Sequence, residues 1–171
     1  MNEEIVYVVD EQDRFVRKAT RKEVTENALL HRTARVIIKN TKGELLVQKR
    51  SMNKDLYPGH WDIGVAETVQ NGDSYESTAT RGLHEELGII GISNIQLIHS
   101  FLFKIRYSSA QSNELCKVYK LLFDGKIIAQ KEEIDEARFL TKEGIKNLIG
   151  TNKAFHPVGI LAFNKYLEIK N

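Results

Sequence analysis

The run from Trp61 to Ile89, WDIGVAETVQNGDSYESTATRGLHEELGI, constrains the fold more than any other stretch. It joins a glycine-bearing loop to one short amphipathic helix whose charged groups collect at one end. Ser74, following Asn71, Gly72 and Asp73, is placed to cap the helix. Asp73 or Glu76 then meets the positive end of the helix dipole, and Gly88 stops the helix about four turns later. Tyr75, Ala79, Leu83 and Leu87 recur at helical spacing and must face a core. Glu85 stands one turn beyond Arg81 and Glu86 adjoins it, so both carboxylates leave the core with a guanidinium in reach. Such a grouping is ordinarily a solvated face contributing a few tenths of a kcal/mol. Its company points instead to a metal-binding patch: Gly64 lies in the preceding loop, Tyr57-Pro58-Gly59 forms a turn, and Gly82 interrupts the helix. A mid-helix Gly costs about 1 kcal/mol relative to Ala, and it leaves the backbone beside Glu86 open to a close neighbour.

These residues resemble the signature box of the Nudix hydrolases. That box reads Gly, five residues, Glu, seven residues, Arg-Glu, an aliphatic, any residue, Glu-Glu, any residue, Gly and an aliphatic. Here Arg81, Gly82, Leu83, His84, Glu85, Glu86, Leu87, Gly88 and Ile89 depart from its second half only at Gly82. In the first half Glu67 stands at the leading Gly and the shorter Asp73 at the first Glu. The run LLHRTARVIIKNTKGELLVQKRSMNKDLYPGHWD is similar to the entry strands of the branch that contains isopentenyl-diphosphate isomerase and its hydrolase relatives, so the resemblance extends from Asp10 to Leu140.

The resemblance implies an α/β fold, a Nudix-like α/β/α sandwich with a mixed central sheet. It also implies a Mg²⁺- or Mn²⁺-dependent hydrolase cleaving a diphosphate linkage in a nucleoside diphosphate derivative or related small molecule. By position Glu85 and Glu86 would bind metal, and Glu114, in the phrase NELC, would add a carboxylate as in the isomerase branch. Arg81 would pair with Asp73 or orient a metal-bound carboxylate. The remaining box glutamate, which helps bind metal or acts as base, falls on Gly82 and is missing. Three accounts follow: an active hydrolase in which Glu67, Glu114 or Glu133 takes over, a feeble hydrolase, or a fold that binds a nucleotide without turning it over. Glu67 is singled out because it enters from the loop facing the helix, and moving a carboxylate from one wall to the other conserves the number of ligands. Gly82 is expected to face the Glu86 side rather than the core, so Gly82→Glu is expected to leave packing undamaged. Isomerase chemistry is not expected. His31 matches one metal histidine of that branch, but Val24 and Thr68 stand at the other two and Ala66 at the catalytic cysteine.

At 171 residues the chain reads as one domain, 1–171, with an N-terminal hairpin extension over roughly residues 1–30. Its 25 Lys and Arg against 23 Asp and Glu leave a net charge of +2, which argues against disorder and against a polybasic surface. With neither a basic helical array nor repeats, nucleic acid is not an expected partner. Cys116 is the only cysteine, so an internal disulfide is excluded. No apolar run approaches a membrane span and the start MNEE is polar, so the expected location is cytoplasmic. A homodimer is compatible with this reading.

Taken in order, Ile5 to Val16 reads as a small hairpin or a strand and turn, and Arg17, Lys18, Arg21 and Lys22 as solvated surface. Arg35 to Ile38 and Glu44 to Gln48 form the clearest strand-turn-strand. Lys49, Arg50 and Lys54 follow the second strand beside the acidic helix, where cations would hold a diphosphate. Trp61 is expected to be a core or loop anchor rather than a base-stacking platform. Tyr107 to Asn113 reads as a polar loop over the site, between strands at Ile95 to Ile105 and Leu115 to Phe123. Lys131 to Ala137 reads as an acidic loop from which Glu132 or Glu133 could add a carboxylate. A helix starts at Thr141, and a last one, started by Pro157, turns Ile160, Leu161 and Tyr166 inward with help from Phe163 or Leu167.

Overall fold

A hairpin starts the chain: β1 (Ile5–Val9) pairs antiparallel with β2 (Phe15–Thr20). Thr20 ends β2 and caps the short α1 (Arg21–Glu26), its hydroxyl accepting from the Glu23 N–H at 3.1 Å. Val6, Val8, Ala19 and Val24 close on one another and on Leu29 as a small cluster of their own. The computed structural model describes residues 4–107, 110–151 and 154–169.

Strand β3 (Leu30–Lys39) is the spine. Ala34, Val36 and Ile38 point into one apolar layer and Ile37 into the other, as a strand covered on both faces requires. It runs parallel to β8 (Ala110–Leu122) from Leu30 to Lys39 and antiparallel to β6 (Val65–Thr68) from Thr33 to Val36, which makes the sheet mixed. β7 (Gln96–Tyr107) lies antiparallel to β8. Strand β4 (Leu45–Arg50) follows a tight turn but meets β3 only at Lys39 and Leu45. It then departs to pair with β5 (Trp61–Ile63) and β9 (Ile134–Leu140). The clearest hairpin of the sequence therefore splays, and its two strands serve different flanks of the sheet.

One helix covers the first face and two the second. On α2 (Tyr75–Leu87) the four apolar positions Tyr75, Ala79, Leu83 and Leu87 are all buried against Val36, Ile38 and Leu46. Ser74 and Ser77 exchange a capping box, and Gly88 ends the helix in the left-handed region with φ 65°. On the opposite face α3 (Lys142–Thr151) and α4 (Pro157–Glu168) bury Ile145, Val158, Ala162, Phe163 and Tyr166 on Ile37, Val47, Trp61 and Val118. Each large apolar side chain so buried contributes about 1.5–3 kcal/mol. Sheet and helices together form the α/β/α sandwich expected. In α4 the register favours Phe163, while Ile160, Leu161 and Leu167 are only partly covered.

Two expected loops are shorter than their composition suggests. Within Tyr107 to Asn113, Ser108 and Ser109 lie outside the described residues, and Ala110 onward already belongs to β8. The acidic run 131–137 becomes strand at Ile134, because β4 offers it a pairing edge. No helix among the described residues is long and apolar enough to cross a membrane.

Candidate active site

Where β3 and β4 part, a polar cleft of about 960 Å³ opens. Its lining includes Arg81, Glu85 and Glu86 from α2, Glu67 and Thr68 from β6, and Arg50 and Lys54 from the end of β4 and the loop after it. Glu86 is buried, and Gln48 of β4 donates from Nε2 to its Oε2 at 3.3 Å. Burial first, then the charge of Glu67, push the Glu86 carboxyl up to about 7. Glu67 is raised by its own burial and further by Glu85, with Arg81 pulling the other way. Arg81 ties the acidic wall together. Its Nη1 lies 3.4 Å from Glu67 and 3.9 Å from Glu85, and its Nη2 lies 3.1 Å from Asp73.

Gly82 explains how Glu67 reaches this wall. A Cβ built at Gly82 would sit 2.9 Å from Glu67 Cγ, 3.6 Å from its Cβ and 3.9 Å from Val65 Cγ2. The stem of Glu67 thus occupies the volume a side chain at position 82 would need. The close neighbour anticipated beside the helix is this glutamate. The expectation that Gly82→Glu leaves packing undamaged is overturned, since two side chains would claim one space.

The remaining candidates divide. Arg50 and Lys54 do line the cleft. Arg50 donates to the Leu56 carbonyl from Nε at 3.2 Å and Nη2 at 2.8 Å, and Lys54 pairs with Glu133. Lys49 is not among the lining residues. Gln48 points at Glu86, so the pleat of β4 turns Lys49 to the other face. Glu114 lines the cleft, but its neighbours are His31, Ser112, Thr33 and His156. Among the described residues no three His, Cys, Asp or Glu side chains are grouped to hold a metal. Glu85, Glu86 and Glu114 therefore do not converge on a ready-made ligand set, because strand β8 delivers Glu114 beside His31 of β3 rather than beside α2. Arg21 and Lys22, read as solvated surface, line the cleft as well, because Arg21, at the start of α1, reaches β6 and donates to the Thr68 hydroxyl.

The NUDIX domain family matches residues 29–158. The chain belongs to this family. An uncharacterised Nudix hydrolase of Pseudomonas aeruginosa is 36% identical over 140 residues, covering 82% of this chain and 80% of the relative. Another from Streptomyces coelicolor is 31% identical over 162 residues, covering 94% of this chain and 87% of that one. Among solved structures, a Deinococcus radiodurans protein superposes with a TM-score of 0.78 at 26% identity, over 95% of this chain and 99% of that one.

Several site residues of this Nudix chain escape a reading by motif. Arg35 is buried in β3 and donates to Asp62 of β5 from Nη1 at 2.6 Å and Nη2 at 3.2 Å. Its signal was a lone cation within the apolar strand TARVII, which demands a buried partner. Gln48 left a similar trace as the one amide in LLVQ. Cys116 is buried and its thiol is pushed up to about 12 by that burial, which leaves it inert at neutral pH.

Proposed function

We propose that this Nudix protein hydrolyses a diphosphate linkage with Mg²⁺ or Mn²⁺, and that Glu67 supplies the carboxylate absent at position 82. The observation that carries this reading is the packing of the Glu67 stem into the gap at Gly82, which sets a strand carboxylate against the acidic end of α2. The donor set suits a hard divalent cation, since it consists of carboxylate oxygens. The charge of Glu67 also raises the affinity of Glu86 for a proton, a repulsion that a cation relieves. Glu67 and Glu86 would hold the ion, with Glu85 at the rim. When bound, such an ion neutralises charge on the phosphoryl oxygens and activates a water.

The chain's own residues do the rest. Gln48 holds one oxygen of the Glu86 carboxylate, and Arg81 keeps Glu67 and Glu85 on one wall. Arg50 and Lys54 face that wall as cations for the diphosphate, with Lys54 exchanging Glu133 for a phosphate oxygen. A nucleoside diphosphate derivative or a related compound fits the cleft's size and mixed charge. A second reading, a Nudix fold that binds such compounds with little turnover, draws on the lack of a preformed ligand group among the described residues.

The test is a screen of such diphosphates with Mn²⁺ and phosphate detection, run beside calorimetry of Mn²⁺ binding. Wild type is expected to turn over, and Glu86→Gln and Glu67→Gln each to lower the rate by roughly a hundredfold and weaken Mn²⁺. Turnover no greater than that of Glu86→Gln would favour the second reading. Full activity in Glu67→Gln would remove Glu67 from the site.

A further inference from the structure

The far end of the cleft from α2 carries polar groups that the proposed hydrolysis does not use. Thr33 and Arg35 of β3, Asp62 of β5, Glu114 of β8 and His156 at the start of α4 all line it. Three of its atoms are buried without a hydrogen-bond partner among the described residues: Thr33 Oγ1, Arg35 Nε and His156 Nδ1. Leaving one such group unmet costs about 1–3 kcal/mol, so three around one opening mark a place built to receive something polar.

Arg35 and His156 are held in place by their surroundings, and the Thr33 hydroxyl lies beside Glu114. Arg35 is locked by two bonds to Asp62 and by a third, at 2.9 Å, to the Ile63 carbonyl, which leaves Nε without an acceptor among the described residues. Asp62 is committed in turn, accepting also from the Ile63 N–H at 2.8 Å. It is fenced by α4, where a Cβ on Gly159 would fall 2.1 Å from its Oδ1. His156 is fixed through its backbone, which donates to the Trp61 carbonyl at 2.7 Å, and its ring packs on Tyr57 with centroids 4.4 Å apart. Its Nδ1 stays 4.0 Å from Asp62, beyond hydrogen-bond length.

Charge and donor count say what fits. Asp62 already neutralises Arg35, and burial pushes His156 down to about 4, so neither offers a free positive charge to a phosphate. Glu114 adds a carboxylate, which repels one. A cation is equally unsuited, because Arg35 Nε–H needs an acceptor. A hydroxyl meets both needs with one small uncharged group, accepting from Arg35 and donating to Glu114 or His156. We infer that this end of the cleft is a specificity subsite for an uncharged, hydroxyl-bearing substituent on the diphosphate, with Thr33, Arg35, His156 and Glu114 as its polar contacts. The inference rests on the reading of the cleft as a diphosphate site.

A matched set of compounds tests it: a hexose 1-diphosphate, hexyl diphosphate with the hydroxyls removed, and inorganic triphosphate, each assayed with the full chain and Mn²⁺. The hexose compound is expected to exceed both others in kcat/KM by about tenfold or more, since buried polar groups left unpaired penalise the analogue that lacks their partner. Thr33→Val and Glu114→Gln are expected to erase most of that margin by raising KM for the hexose compound alone, and Thr33→Ser to keep it. Equal rates on the hexose and hexyl compounds, or variants that slow all three alike while melting as wild type does, would overturn the subsite. If nothing is turned over, hydrolysis is what fails. Calorimetry of the same compounds then decides the subsite: tighter hexose binding that Thr33→Val abolishes upholds it, and indifference to the hydroxyls sinks it.

Discussion

Position 82 shows how one hydrogen atom in place of a side chain reorganises a site. Glu67 and residue 82 draw on the same space, so they behave as one unit. Gly82→Glu is expected to destabilise by about 1–3 kcal/mol through overpacking and to bring no gain in rate. Adding Glu67→Gly should return most of that stability, a coupling of about 1 kcal/mol or more in a double-mutant cycle followed by denaturant melts. Strict additivity would mean that the two residues do not compete. Glu86 supplies a second test. Burial and Glu67 raise its carboxyl from 4.5 to about 7 in the folded chain. The folded state therefore holds a proton the unfolded state has released, and the stability tied to it is complete below pH 4.5 and lost as pH rises through 7. Metal-free Glu86→Gln should match wild type near pH 4 and gain on it up to about pH 7, by at most about 3 kcal/mol, then stay level. Thermal melts across that range in a chelator would show it, and a constant difference would refute the burial of a neutral acid there.

Among the elements, α2 was legible from cap to cap. Ser74, the four apolar positions and Gly88 are local signals, and each does locally what its chemistry requires. Strands β3 and β4 were legible as strands but not as neighbours. The turn between them is encoded nearby, whereas their divergence depends on β6, β8, β5 and β9, which no short-range pattern names. Site residues followed the same division. Arg81, Glu85 and Glu86 could be read from one helix, but Thr33, Arg35, Asp62 and His156 come together only once three segments are placed. Lys49 and Arg50 looked equivalent until the pleat separated them. The packing of α4 on Asp62 yields its own prediction. Asp62→Ala strands a buried guanidinium and should cost about 3–5 kcal/mol, whereas Asp62→Ala with Arg35→Met should recover much of the loss. Gly159→Ala should also destabilise, because its methyl meets the Asp62 carboxylate. Chemical denaturation of the three variants would decide, and an undisturbed Gly159→Ala would show that α4 can shift without cost.

For the whole molecule, the parallel pairing of β3 with β8 governs when the sheet can exist. Leu30 lies beside Asn113 and Lys39 beside Leu122, with nearly half the chain between partners. Pairings so distant in sequence must bear their loop-closure entropy before they gain contacts, so their closure limits the rate of folding. The N-terminal hairpin, closed over a few residues around its own small cluster, can form independently. Ile37→Val should therefore slow refolding in stopped-flow experiments, while Val8→Ala should mostly hasten unfolding. During synthesis the same geometry makes the central strand an edge: β3 leaves the ribosome long before β8 is made, and for that interval its apolar row has one flank open to any other nascent strand.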